Sequence, residues 1–198
     1  MSAIAPATWS LDVGIPDWLE VPKAPFDAPS WRADVELVFE LLEFVDSQLG
    51  ETPLAAGSPL EASSGIDSLL EFSASLPHDH HVVAGLTIPG RWPLPVIVVV
   101  SAIGDEPQDL LEAAGARGGE PIELPVVDYL PDHLGDGIRV TRFDLDDGGA
   151  VWATVTCARR MDDTDTVLTW RTLDLELVPL FSSDLELLLA GVRIGGDR

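Results

Sequence analysis

Three runs in the last third of the chain, Ile138 to Leu145, Ala150 to Ala158 and Thr166 to Val178, alternate apolar and polar residues. Asp146-Asp147-Gly148-Gly149 and Met161-Asp162-Asp163-Thr164-Asp165 separate them. A period of two puts one face of each run against a core, and Asp and Gly supply the backbone that tight turns need. The segment therefore predicts a three-stranded antiparallel meander, whose apolar face some other element must cover. Ser182 or Ser183 is placed to cap a closing helix, with Asp184 and Glu186 in its first turn and Leu185, Leu188, Leu189 and Val192 on one face.

Upstream, Val82 to Ile88 and Val96 to Ile103 are strand-like, the second apolar at nearly every position, as when both faces are covered. Asp105 to Ala116 has helical spacing, with Leu110, Leu111 and Ala114 as its stripe and Pro107 in its first turn. Ile122 to Tyr129 is strand-like but contains Pro125, which assigns it to a sheet edge. The order predicts an α+β fold: a mainly antiparallel sheet with a C-terminal three-stranded meander, packed by helices.

The first thirty residues carry Pro6, Pro16, Pro22, Pro25 and Pro29 interleaved with Trp9 and Trp18, which denies them a regular helix and offers large rings for burial. Residues 1–30 are expected to form an arm wrapped over the body or a partner, and residues 31–198 a single α+β domain. From Ser30, Val38, Leu41, Leu42, Val45 and Leu49 recur on one helical side before Gly50. Glu51 to Ser64 reads as a loop or internal boundary, and Ile66 to Leu76 fits a short helix or a strand equally.

The strand-helix-meander-helix order from Val82 to Ile194 resembles that of Mog1/PsbP-like α/β/α sandwich domains, a group of small ligand- or partner-binding proteins. The resemblance rests on element order over a little over half the chain, and implies a binding role and a sandwich of helices about a sheet.

The 198 residues include 34 Asp and Glu against 11 Lys and Arg, a formal charge of -23. Such a body repels phosphate backbones and anionic lipid headgroups out to the Debye length, so neither nucleic acid nor a membrane surface is an expected partner. Disordered chains combine high charge with few apolar residues, whereas 46% of this chain is hydrophobic, so it should fold. One cysteine, Cys157, lies inside a strand-like run and reads as a buried small hydrophobe. Met1 to Ser10 lacks the basic and apolar regions of a secretory signal, and the apolar stretch Pro95 to Ala102 is far short of the ~20 residues of a spanning helix. The expected location is cytoplasmic.

Candidate chemistry is sparse. His78, His80 and His81 cluster around Asp79, and on a strand His78 and His80 would share a face as zinc or nickel ligands. Asp144 to Gly149 begins like a calcium loop, but Val155 stands where a bidentate Glu is required. Ser101 lacks the glycine two residues before it that a nucleophile elbow needs. Arg139, Arg142, Arg159, Arg160 and Arg171 fall in or beside the meander. If Leu145 pairs with Ala150 and Arg160 with Val167, then Arg139, Thr156 and Arg171 line up on one face, with Phe143, Trp152 and Leu175 at its other end. That face would be an open cationic site for a carboxylate or phosphate, unless its arginines pair with neighbouring carboxylates.

These observations favour a non-catalytic cytoplasmic binding or adaptor protein without a cofactor. Its partner is another protein or a second copy of itself, engaged through sheet surface or through Trp9 and Trp18. One alternative is a metal-dependent or small-ligand enzyme using the His78–His81 cluster. Another is an acidic inhibitor or immunity-type protein that occupies a basic site.

Overall fold

The computed structural model describes residues 9–12, 18–23, 29–37, 59–85, 94–103, 108–161 and 163–195. In chain order the elements are β1 (Trp9–Leu11), β2 (Trp18–Val21), α1 (29–37), α2 (Pro59–Ser75), β3 (His80–Gly85), β4 (Leu94–Ala102), α3 (Leu110–Ala113), β5 (Val126–Tyr129), a 3-10 turn (Asp132–Leu134), β6 (Asp136–Leu145), β7 (Val151–Met161), β8 (Thr164–Thr172), α4 (Leu177–Gly191) and β9 (Val192–Ile194). The fold is α+β. Two compact units divide the chain, one of Met1–Val13 with Ile97–Arg198 and the other of Gly14–Val96. The Pro/Trp-rich arm is shared between them, β1 belonging to the first and β2 to the second.

In the first unit the sheet order is β4-β8-β7-β6-β5, and β5, β6, β7 and β8 pair antiparallel in succession. Leu145 stands opposite Val151 and Met161 opposite Thr164. Alternation then sorts the side chains: Arg139, Cys157, Leu168, Val155 and Trp170 share one face, and Ile138, Val140, Ala158 and Val167 the other.

Helix α4 covers the first of these faces. Its Phe181 meets Trp170 with ring centroids 4.8 Å apart and planes tilted by 57°, and Phe181, Leu185, Leu188 and Leu189 are fully buried. Helix α3 lies on the second, where Ala114 packs with Ile138, Val140 and Ala158, and Leu110 and Leu111 close over them. Asp109 caps α3 by accepting from the Leu111 amide at 3.0 Å. Strand β1 pairs antiparallel with β9, Trp9 opposite Ile194.

In the second unit β2 and β3 are antiparallel, Trp18 opposite Gly85. Val21, Leu69, Val82 and Ala84 form its core, with Trp31, Leu70 and Phe72 against them, and Val35 and Ile66 extend it.

Several expected boundaries move. The strand expected to reach Val178 ends at Thr172, and α4 starts at Leu177, not at Ser182 or Ser183. Pro179 falls in the first turn, where its missing N–H costs nothing. Ser182 sits mid-helix, its Oγ donating back to the Val178 carbonyl at 2.5 Å. The loop expected over Glu51 to Ser64 is helical from Pro59, a residue suited to a first helical turn, and the ambiguous Ile66 to Leu76 is helix through Ser75. The strand expected from Ile122 is confined to Val126–Tyr129, after Pro125. Val38, Leu41, Leu42, Val45 and Leu49 lie outside the described residues. Among the described residues, no helix is long and apolar enough to cross a membrane.

Candidate functional site

The cationic face expected of the meander is not assembled. Arg139 stands opposite Cys157, while Thr156 stands between Val140 and Thr169, and Arg171 opposite Thr154. Thr156 and Arg171 share the α3 face, and Arg139 points to the α4 face. The cause is the first hairpin. Asp146 and Ala150 form its closing pair, the Asp146 amide donating to the Ala150 carbonyl at 3.0 Å, and Gly149 takes φ +80°. The three residues between them, with glycine at the left-handed position, make the loop odd in length and shift the pairing by one residue, which exchanges the faces. The second hairpin is displaced by two residues from expectation, which keeps faces intact.

The arginines are also engaged. Arg139 donates to Glu186 at 2.5 Å and Asp128 at 2.7 Å. Arg142 grips both oxygens of Asp144 at 2.8 Å and the Gly118 carbonyl at 2.7 Å, and Arg160 holds both oxygens of Asp165 at 2.7 Å. Arg171 stacks 4.4 Å above the Trp152 ring.

The histidines diverge. His78 lies in a turn, and His80 and His81 open β3 on opposite sides of the strand. His80 Nδ1 is 3.1 Å from Asp79, and this hydrogen bond holds the Asp79 carboxyl below its usual range. Among the described residues, no group of three or more His, Cys, Asp or Glu is placed to hold a metal ion. His81 instead lines a cleft of about 560 Å³ with Glu20, Lys23, Trp31, Asp34 and Ser73. Burial pushes the His81 imidazolium down toward the neutral form. Lys23 is drawn to backbone, donating to the carbonyls of Pro77 and His80. Of the two arm tryptophans, Trp18 lies in the interior of its unit at 6% exposure, not on a binding surface, and Trp9 is half-buried beside β9.

Strand β5 and the residues before it carry exposed apolar side chains on both faces. Leu124 is 89% exposed and Tyr129 83%, with Ile122 and Val126 also exposed. Strand β5 ends the sheet, so one side of its backbone pairs with β6 and the other has no strand beside it among the described residues. The Leu130 amide donates to the Gly137 carbonyl at 3.0 Å, which marks even-numbered positions as bonded to β6. Val127 and Tyr129 therefore direct their N–H and C=O groups outward. Pro125 and Pro131 occupy the next outward positions and supply no donor, so the open ladder is two residues long. Glu120, Glu123, Asp132 and Asp136 flank this edge in sequence, all exposed, while Asp128 is paired with Arg139 opposite it on β6, and no Lys or Arg lies between residues 118 and 138.

No family model and no curated protein matches the chain. Among solved structures the chain is similar to the Saccharomyces cerevisiae Ran-binding protein Mog1p, with a TM-score of 0.38 and 12% identity, over 61% of this chain and 81% of that one. It is likewise similar to LpqN, involved in cell envelope biogenesis of Mycobacterium tuberculosis, with a TM-score of 0.41 and 11% identity, over 96% of this chain and 84% of that one.

Proposed function

We propose that this is a non-catalytic binding protein that captures an extended, basic segment of a protein partner along the outer edge of β5. The observation behind this reading is the edge itself: outward backbone groups at Val127 and Tyr129, with exposed Leu124 and Val126 on one face and Tyr129 on the other, in a stretch that carries the exposed carboxylates of Glu120, Glu123, Asp132 and Asp136. An added strand would gain main-chain hydrogen bonds from the two outward residues, apolar contact from those side chains and long-range attraction from the carboxylates. Exposed strand edges are normally blunted, and here the prolines limit the edge without covering it.

A short alternating Lys-Val peptide tests the reading by amide chemical-shift mapping at low salt. Shifts centred on Val127 and Tyr129, weakened by salt and absent with the matching Glu-Val peptide, are the expected result. Val127→Pro removes an outward N–H while leaving the β6 ladder intact, and should abolish binding without unfolding the protein. Unchanged binding by that variant overturns the proposal.

A second reading has its own observation in the cleft beside His81. The hydroxyl of Ser73 is buried at 1% exposure and has no hydrogen-bond partner among the described residues, although it lines this cavity. With Glu20, Asp34 and the Trp31 ring in the same walls, the cleft suits a small organic cation. Calorimetric titration with choline and with arginine methyl ester distinguishes the two. Binding that Asp34→Asn weakens supports this second use, and no heat with either compound removes it.

A further inference from the structure

Arg159 differs from the other described arginines in having neither a carboxylate partner nor an aromatic ring beneath it. Arg32, Arg117, Arg139, Arg142, Arg160 and Arg193 each meet an Asp or Glu, and Arg171 lies over Trp152. Arg159 is 3% exposed, donates from Nη2 to the Val192 carbonyl, and leaves Nε without a partner among the described residues. Directly opposite it on β8 stands Thr166, 0% exposed, whose Oγ1 also has no partner among the described residues. Residues opposed across a ladder have Cβ atoms about 5 Å apart on the same face, so both unpaired groups belong to neighbouring side chains on the α4 side of the sheet. The like charge of Arg193 acts on Arg159 and, with burial, lowers its pKa.

We propose that Arg159 and Thr166 hold a small monovalent anion of the halide class between Nε and Oγ1. A guanidinium does not escape burial by losing its proton, so a buried one with a single neutral acceptor needs a counter-charge. A water molecule would satisfy the donors and leave the charge uncompensated; a halide supplies both. Burial and Arg193 depress the Arg159 pKa, in keeping with a cation that no carboxylate compensates among the described residues. A divalent oxyanion would bring a second charge that nothing at the site neutralises.

Thermal unfolding of the full chain in sodium bromide or chloride, against sodium gluconate at equal ionic strength, reads the site in solution. The midpoint should rise with halide and not with gluconate in the wild type. Thr166→Val keeps the side-chain volume, and it should fold and lose the halide increment, as should Arg159→Met if it folds. Crystals grown in bromide should show anomalous density beside Arg159 Nε. Equal dependence on halide and gluconate, an increment retained by Thr166→Val, or a water without anomalous signal at that position would each overturn the proposal.

Discussion

Arg139 on β6 lies directly opposite Cys157 on β7, and its guanidinium ties two further elements to that pair, Glu186 of α4 at 2.5 Å and Asp128 of β5 at 2.7 Å. One side chain thus links an edge strand, a central strand and the covering helix. Its side chain is 24% exposed, so solvent screens the pairs only in part. Arg139→Ala should cost about 2 kcal/mol in urea unfolding, the scale of charge-assisted hydrogen bonds lost beside a partly buried carboxylate. Adding Glu186→Gln should cost less than the sum of the two single changes, because the first has already removed the partner.

Burial raises the Cys157 thiol to about 12, with Glu186 adding to the shift and Arg139 opposing it. The native thiol stays protonated while the unfolded one ionises near pH ~8.5. Stability from this group is therefore complete below that pH and declines as pH rises toward the native value, by up to ~1.4 kcal/mol per unit. Denaturant midpoints across that alkaline range should fall more steeply for the wild type than for Cys157→Ala. A thiol reagent should modify Cys157 only at the rate of unfolding.

The strands of the meander and the stripe of α3 were legible because hydrophobic periodicity is a local signal. Leu110, Leu111 and Ala114 do pack as that spacing requires. Register is not local in this sense. Whether Leu145 faces Ala150 or Val151 depends on whether the turn holds an even or odd number of residues, and Asp-Asp-Gly-Gly permits either. That single step separated Arg139 from Thr156 and Arg171. The pairing of Trp9 with Ile194 joins opposite ends of the chain, which no short window reveals. Ser182 misled for a chemical reason, since a serine caps a helix or folds back on its interior with the same hydroxyl. At β5, Pro125 located the edge, but exposure of Leu124 and Tyr129 appears only once α3 and α4 are seen covering other parts of the sheet.

The Trp170–Phe181 contact is the anchor of α4 on the sheet, with Phe181 at 0% exposure and Trp170 at 1%. Phe181→Ala should remove about 3–5 kcal/mol, from lost transfer energy together with the cavity left behind. Phe181→Leu should cost distinctly less. Near-ultraviolet circular dichroism reports the same loss, because Trp170 would no longer sit against a fixed ring. A smaller penalty for the alanine variant than for Leu180→Ala, whose side chain is 62% exposed, would show that α4 is held elsewhere.

The β6–β7 turn lets register be tested directly. Asp146 accepts from the amides of Gly148 at 2.9 Å and Ala150 at 2.8 Å and from the Trp152 indole at 3.1 Å, and these bonds, led by that from Ala150, hold its carboxyl below the usual range. A depressed native pKa means stability that is present above the unfolded carboxyl value near pH ~4 and is lost as pH falls through the native value. The wild type should lose stability with acid more steeply there than Asp146→Ala. Gly149 has φ +80° and open space where a Cβ would stand, so Gly149→Ala should cost about 1 kcal/mol from backbone strain alone. Deleting Gly148 is a different perturbation. It makes the loop even, and the strands must either exchange faces or strain the turn, so the deletion should destabilise far more than any substitution in the loop. If amide hydrogen exchange instead found the β6–β7 ladder as protected in the deletion as in the wild type, the pairing of Leu145 with Val151 would not be held by the turn.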